Sequence, residues 1–467
     1  MTIVRKIKRK RKRIKRTFSI IKKSNLDVFN KIFRILSWLL PGLVLKRWIV
    51  TSAIGLITSL LGIAIWTNLR PLYWLIETFF WLMTGLTSIF PVSILGPFIL
   101  FIGLLLICLG QNRSINSIQK ALVPQKETLL VDALRVNSKL SRGPNIVAIG
   151  GGTGLSTLLK GLKNYSSNIS AIVTVTDDGG SSGILRKQLG VQPPGDIRNC
   201  LAALSNEEPT LTRLFQYRFS GGGGLEGHSF GNLFLSALTT ITGSLEKAVQ
   251  ASSQVLSVQG QVIPATGIDV MLWAELEDGE KIFGESLIGK SVKPISRIGC
   301  LPENPPALKN AIEAIKEADL IVLGPGSLYT SLLPNLLVPE IVEELLKNNS
   351  PKIYISNLMT QPGETDGLDV YQHIKSIEKQ LFNFGVNTRI FNAILSQGEF
   401  EGSSLIDYYR SRGAEPVICN KKRLVSEGYH VLQAPLYSKR ITPTLRHDYR
   451  RLARAVMYLY KKIKKAN

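Results

Sequence analysis

From Asn145 onward the chain alternates continuous apolar runs with stretches of helical periodicity. Runs at Asn145–Ile149, Ile169–Thr176, Leu320–Leu323 and Lys352–Ser356 are rich in β-branched residues and lack polar alternation. Such runs fit strands buried on both faces. Between them, Leu155–Leu162, Asn310–Ala318 and Pro339–Lys347 space their apolar residues as helices do. Strand and helix in alternation predict a parallel α/β sheet. Residues 255–300 break the rhythm. VLSVQGQVIPATGIDVMLWAELEDGEKIFGE reads as short strands and turns, an antiparallel insertion.

The amino-terminal third is patterned differently. Trp48–Leu69 runs 22 residues without a charge, and Val92–Gly110 adds 19 more. Each is long enough to cross a hydrocarbon core of ~30 Å, and the first has Trp near both ends, as interfacial anchors would be. These two segments predict a transmembrane hairpin. Leu72–Phe90 between them carries Glu77 and is read as interfacial or re-entrant; a third crossing would export everything that follows. The predicted organisation is a basic arm at 1–47, the hairpin at 48–110, a polar linker at 111–144 closed by SRGP, and an α/β domain at 145–467.

Charge sharpens this picture. The 467-residue chain has a formal net charge of +23, and residues 1–47 hold sixteen Lys/Arg against the single acid Asp27. A block such as RKIKRKRKRIKR repels itself and stays solvated. Beside apolar helices it attracts anionic lipid at about 1 kcal/mol per basic residue, which favours a membrane surface over nucleic acid. The positive-inside rule then keeps the arm and the main domain in the cytoplasm, at the inner membrane. The four cysteines, Cys108, Cys200, Cys300 and Cys419, have neither metal-site spacing nor the look of a disulfide framework, consistent with a reducing compartment.

Several motifs bear on chemistry. Gly150-Gly151-Gly152-Thr153-Gly154 ends the first strand and opens a helix, the pattern of a phosphate-binding turn. It lacks the third glycine of a dinucleotide fingerprint and the Gly-Lys-Ser/Thr of a Walker loop. Asp177-Asp178-Gly179-Gly180-Ser181-Ser182-Gly183 follows the second strand. Its acids suit sugar hydroxyls or a hard cation such as Mg²⁺, and its serines suit a loop moulded to a ligand. Asp196, in PPGD before a helix, is either an N-cap or a ligand contact, with Arg198 available to phosphate. Gly324-Pro325-Gly326-Ser327 makes a second glycine loop at a strand end, where open α/β sheets bind ligands. Gly227-His228-Ser229-Phe230-Gly231 has the spacing of a hydrolase elbow, but SGGGGLEG before it cannot be a strand. It is better read as a ligand loop closed by Asn232. The loop after KIYISN, with Asn357, Gln361, Glu364, Thr365 and Asp366, is either an ordinary surface loop or a ligand wall. Arg446-His447-Asp448 opens the last, basic helix, with acid–base or capping roles open to His447 and Asp448.

The ordered set GGGTGLS, TVTDDGGSSG, PPGDIRNCLAAL, GHSFGN, LGPGSLYTS and NLMTQPGETDG closely resembles the gluconeogenesis factor (YvcK) family, within the larger group that contains 2-phospho-L-lactate transferase. The resemblance spans about Asn145 to Arg446; the amino-terminal part looks like the extension of photosynthetic relatives. It implies a Rossmann-like sheet and a regulatory role in cell shape during gluconeogenic growth. That role would be exerted by sensing UDP-sugars, above all UDP-N-acetylglucosamine, and adjusting the supply of cell-wall precursors with a protein partner. It carries ligand contact to the glycine loop, Asn232, the Gly324–Ser327 loop, Tyr409 and Arg446. The transferase branch implies phospholactyl transfer to a deazaflavin precursor, which the GGSSG extension argues against. An NAD-dependent oxidoreductase is a weaker third reading, since the third glycine is missing.

Overall fold

The computed structural model describes most of residues 44–106, Gly110, and 138–466 apart from 207–208, 292, 401–403 and 438–444. The basic arm before 44 and nearly all of the predicted linker lie outside the described residues. The chain divides into two compact units, Met1–Ser138 and Lys139–Asn467.

In the first unit, helices cover Val44–Trp66 and Arg70–Ile89, and residues 96–106 are also helical. Among the described residues no helix is long and apolar enough to cross a membrane. The predicted spans Trp48–Leu69 and Val92–Gly110 each lie partly outside the described residues.

The second unit is α/β. Seven parallel strands lie in the order β10-β9-β8-β7-β1-β2-β3. They are β1 Ile146–Gly150, β2 Ile169–Val173, β3 Gln261–Pro264, β7 Leu320–Leu323, β8 Lys352–Ile355, β9 Ala393–Gln397 and β10 His430–Ala434. Along β1, Ile146 and Ala148 enter one apolar core while Val147 and Ile149 enter the other. Burial on both faces is why the strands read as unbroken apolar runs. A smaller antiparallel sheet, β5-β4-β6, comprises β4 Met271–Leu276, β5 Lys281–Phe283 and β6 Ile295–Leu301. The predicted insertion therefore forms, with one change. Gln261–Pro264 leaves it to pair in parallel with β2 at the edge of the main sheet. The strand expected over Ile169–Thr176 stops at Val173, and β9 and β10 were not foreseen.

The strand order places the site. From β1 the chain winds outward through β2 and β3; it then returns to the other side of β1 and continues through β7 to β10. The direction reverses between β1 and β7, which pair with Ile149 opposite Leu323. Both glycine loops leave the sheet at that reversal, where a doubly wound sheet opens a crevice.

Candidate ligand-binding site at the sheet switch point

A cavity of about 760 Å³ opens at this crevice, within the range of small-molecule sites. One wall is the turn after β1, where Gly152 begins the helix Gly152–Leu162 with φ of 64°. That left-handed geometry favours glycine. The facing wall is the turn after β7. The two lie so close that a Cβ on Gly154 would fall 2.3 Å from the Pro325 carbonyl oxygen. Glycine is needed here to let one loop meet the other, as much as to admit a ligand.

Behind the second loop, a polar network fixes the wall. The Asn357 side-chain oxygen accepts from the Gly326 N–H at 3.2 Å, and its amide donates to Gln361 at 3.2 Å. Ser327 caps the turn beginning at Leu328, accepting from the Thr330 N–H at 3.3 Å. Its hydroxyl donates to the buried Glu364 carboxylate. Burial pushes the Glu364 pKa up, against the hydrogen bonds from Ser327, the Tyr329 N–H and Thr330. On another side, the Tyr409 hydroxyl accepts from the Leu445 N–H at 3.0 Å and so positions the segment that carries Arg446. Burial lowers the His447 pKa to about 4, opposed by its hydrogen bond to the Ser356 backbone. Asp448 alone supplies the helix cap, accepting from Arg450 and Arg451 N–H groups at 2.9 and 3.0 Å.

The predicted residues divide into two groups. Gly151, Gly152, Thr153, Gly154, Gly326, Ser327, Tyr409 and Arg446 line the cavity. Gly150, Asp177, Asp178, Ser181, Ser182, Asp196, Asn232 and Gly324 are not among its lining residues. Several of the second group tie the loops together. One Asp177 oxygen accepts from the Gly179 N–H at 3.0 Å, and Asp178 accepts from the Ser286 N–H at 2.7 Å, clamping the insertion to the main sheet. Asp196 sits in the first turn of the helix Gly195–Leu204 without capping it, because its carboxylate turns back to the Gly152 backbone. Burial first, then the nearby Asp177, raises its pKa to about 6. Ser181, Ser182 and Asn232 are buried in one network. Asn232 donates to the Ser181 hydroxyl at 3.0 Å, and that hydroxyl also meets His228 Nδ1 at 3.0 Å. Ser229 is an N-cap, accepting from the Asn232 N–H at 3.3 Å, so GHSFG is a helix start and no elbow.

Sequence reasoning passed over Glu285, Ser286 and Lys290, which the insertion contributes to the cavity. No motif marks them; they arrive through the Asp178 clamp. Glu285 has its pKa pushed up to about 9 by burial, then by Asp177, Asp196 and Asp178. It hydrogen-bonds Asp177 and is held protonated at neutral pH. Among the described residues no group of three or more His, Cys, Asp or Glu is arranged to hold a metal ion.

Comparison with known proteins agrees with this fold. The family described as 2-phospho-L-lactate transferase CofD matches residues 146–437. A putative gluconeogenesis factor from a Nostoc species is 50% identical over 423 residues, 91% of this chain and 92% of that one. The gluconeogenesis factor of Bacillus subtilis is 45% identical over 322 residues, 69% of this chain and 100% of its own. The crystal structure of a UPF0052 family member from Bacillus halodurans superposes with a TM-score of 0.63 at 44% identity, covering 68% of this chain and 99% of that chain. With the sheet, the paired glycine loops and these relatives together, the chain belongs to the CofD family and, within it, to the gluconeogenesis factors.

Proposed function

We propose that this protein is a regulatory gluconeogenesis factor whose cavity binds a nucleotide sugar, UDP-N-acetylglucosamine or a close relative. The supporting observation is the convergence of two strand-end glycine loops on one cavity that also holds Arg446. Backbone N–H groups at the start of the helix Gly152–Leu162 suit a diphosphate, and Arg446 adds a guanidinium for the same charge. The protonated Glu285 presents a neutral wall to such an anion. Binding would regulate cell-wall precursor supply through a protein partner and maintain cell shape under gluconeogenic growth. The basic arm fits attachment at the cytoplasmic face of the inner membrane. Calorimetry with UDP-N-acetylglucosamine tests the reading. A saturable isotherm that Arg446→Ala weakens at least tenfold is expected, and no heat at millimolar ligand refutes it. The transferase alternative draws support from the family match and from the hydrogen-bonded Asp177–Glu285 pair; phospholactyl transfer to a deazaflavin precursor by the purified chain would favour it.

A further inference from the structure

We infer that the carboxy-terminal helix Tyr449–Ala466 is a docking surface for an anionic lipid bilayer, independent of what fills the cavity. One face of this helix is the core. Leu452, Ala453, Val456, Leu459 and Ile463 are buried. The fit to the helix Gly152–Leu162 is tight enough that a Cβ on Gly161 would lie 2.1 Å from the Tyr449 carbonyl oxygen. The other face is cationic. Arg450, Arg451 and Arg454 in the first half, and Lys461, Lys462, Lys464 and Lys465 in the second, are all exposed. At 3.6 residues per turn these positions share an arc of about 160°. The helix contains no acidic residue, and none of the seven cations is in an ion pair among the described residues. The acid that acts on this face is Asp319, near Lys464.

A nucleic acid is the other polyanion such a face attracts, and two observations favour the bilayer. The helix sequence YRRLARAVMYLYKKIKKA holds no Asn, Gln, Ser or Thr, which leaves Tyr as its one polar uncharged side chain for phosphates and no amide to read adenine. Its exposed non-basic residue is Tyr458, 58% exposed amid the cations, and aromatic residues of this kind gather at lipid interfaces. The same chain also carries an amino-terminal unit whose large apolar side chains lie open, Trp66 at 87% and Trp81 at 77% exposed. Basic residues beside apolar helices attract anionic headgroups. A surface that receives that unit would meet the carboxy-terminal helix at high local concentration.

The test uses the Lys139–Asn467 unit, which has its own cores and whose equivalent makes up all of the Bacillus subtilis relative. Sedimentation is measured with vesicles of equal parts phosphatidylcholine and phosphatidylglycerol, and with phosphatidylcholine alone. Binding to the anionic vesicles only, reversed by high salt, is expected. Changing Arg454, Lys461, Lys462 and Lys465 together to Gln is expected to weaken it on the order of 1000-fold. The Lys461→Arg, Lys462→Arg, Lys465→Arg variant is expected to keep it. Thermal unfolding of each variant confirms that the fold survives. Equal binding to neutral vesicles, full binding by the Gln variant, or binding to duplex DNA but not to vesicles overturns the inference.

Discussion

Glu285 offers a direct check on the electrostatics of the cavity. Its carboxyl is driven from the ordinary 4.5 to about 9, first by burial and then by three neighbouring aspartates. The folded chain therefore holds this proton more tightly than the unfolded chain does. Stability from this group is full below the ordinary carboxylate range and falls as pH rises from about 4.5 to about 9. At pH 7 the shift corresponds to about 3 kcal/mol at most. Because the side chain is only partly buried, solvent screens part of this, and about half, ~1.5 kcal/mol, is the expected cost. Glu285→Gln keeps the shape and the donor toward Asp177 and removes the titration. Urea unfolding of both proteins between about pH 4 and pH 9 should show no difference at the acid end and a gain of ~1.5 kcal/mol for the variant at pH 7. Asp196, raised to about 6 in the same direction, titrates in both proteins, so their difference above about pH 6 isolates Glu285. Parallel stability curves across that range, or a variant no more stable than the parent at pH 7, would refute the reasoning.

Three further outcomes follow from the same geometry. Gly154→Ala places a methyl 2.3 Å from the Pro325 carbonyl oxygen; it should cost about 1–3 kcal/mol in urea unfolding and abolish nucleotide-sugar heat, because the two loops must part. Asn232→Ala removes one of the two 3.0 Å partners of the Ser181 hydroxyl, leaving His228. It should cost about 1–3 kcal/mol with ligand affinity nearly unchanged, and a stable variant that no longer binds would show that Asn232 touches ligand. Tyr409→Phe removes the 3.0 Å acceptor of the Leu445 N–H, so calorimetry should show several-fold weaker binding, with about 1 kcal/mol lost in stability.

Legibility in the sequence followed the range of the interactions involved. β1, β7 and β8 were readable because burial on both faces requires unbroken apolar runs, and each run ends at a glycine or polar punctuation. The β3 run QVIP follows a helix closely and looks in sequence like part of the insertion. Its partner, β2, lies about 90 residues earlier, with Val262 opposite Ala171, and no local pattern records that pairing. β10 shows only partial burial at the sheet edge, so its run of HVLQA lacks the apolar continuity that marked the central strands.

The site follows the same logic one level down, and it changes what its motifs mean. A motif announces residue types that a loop cannot do without, which need not be the residues that face a ligand. In DDGGSSG the backbone bends because Asp177 and Asp178 bind N–H groups, one within the loop and one in the insertion at Ser286. The serines are spent on Asn232 and His228. The loop's glycines, Gly179 and Gly180, are what reach the cavity. The acids act at one remove: Asp178 holds the start of the helix Glu285–Ile288, and Asp177 holds the proton on Glu285. A change at either acid would therefore weaken ligand binding without loss of a direct contact. Substituting Asp178 should be rescued by nothing that restores its charge elsewhere, because its task is to hold one N–H 2.7 Å away.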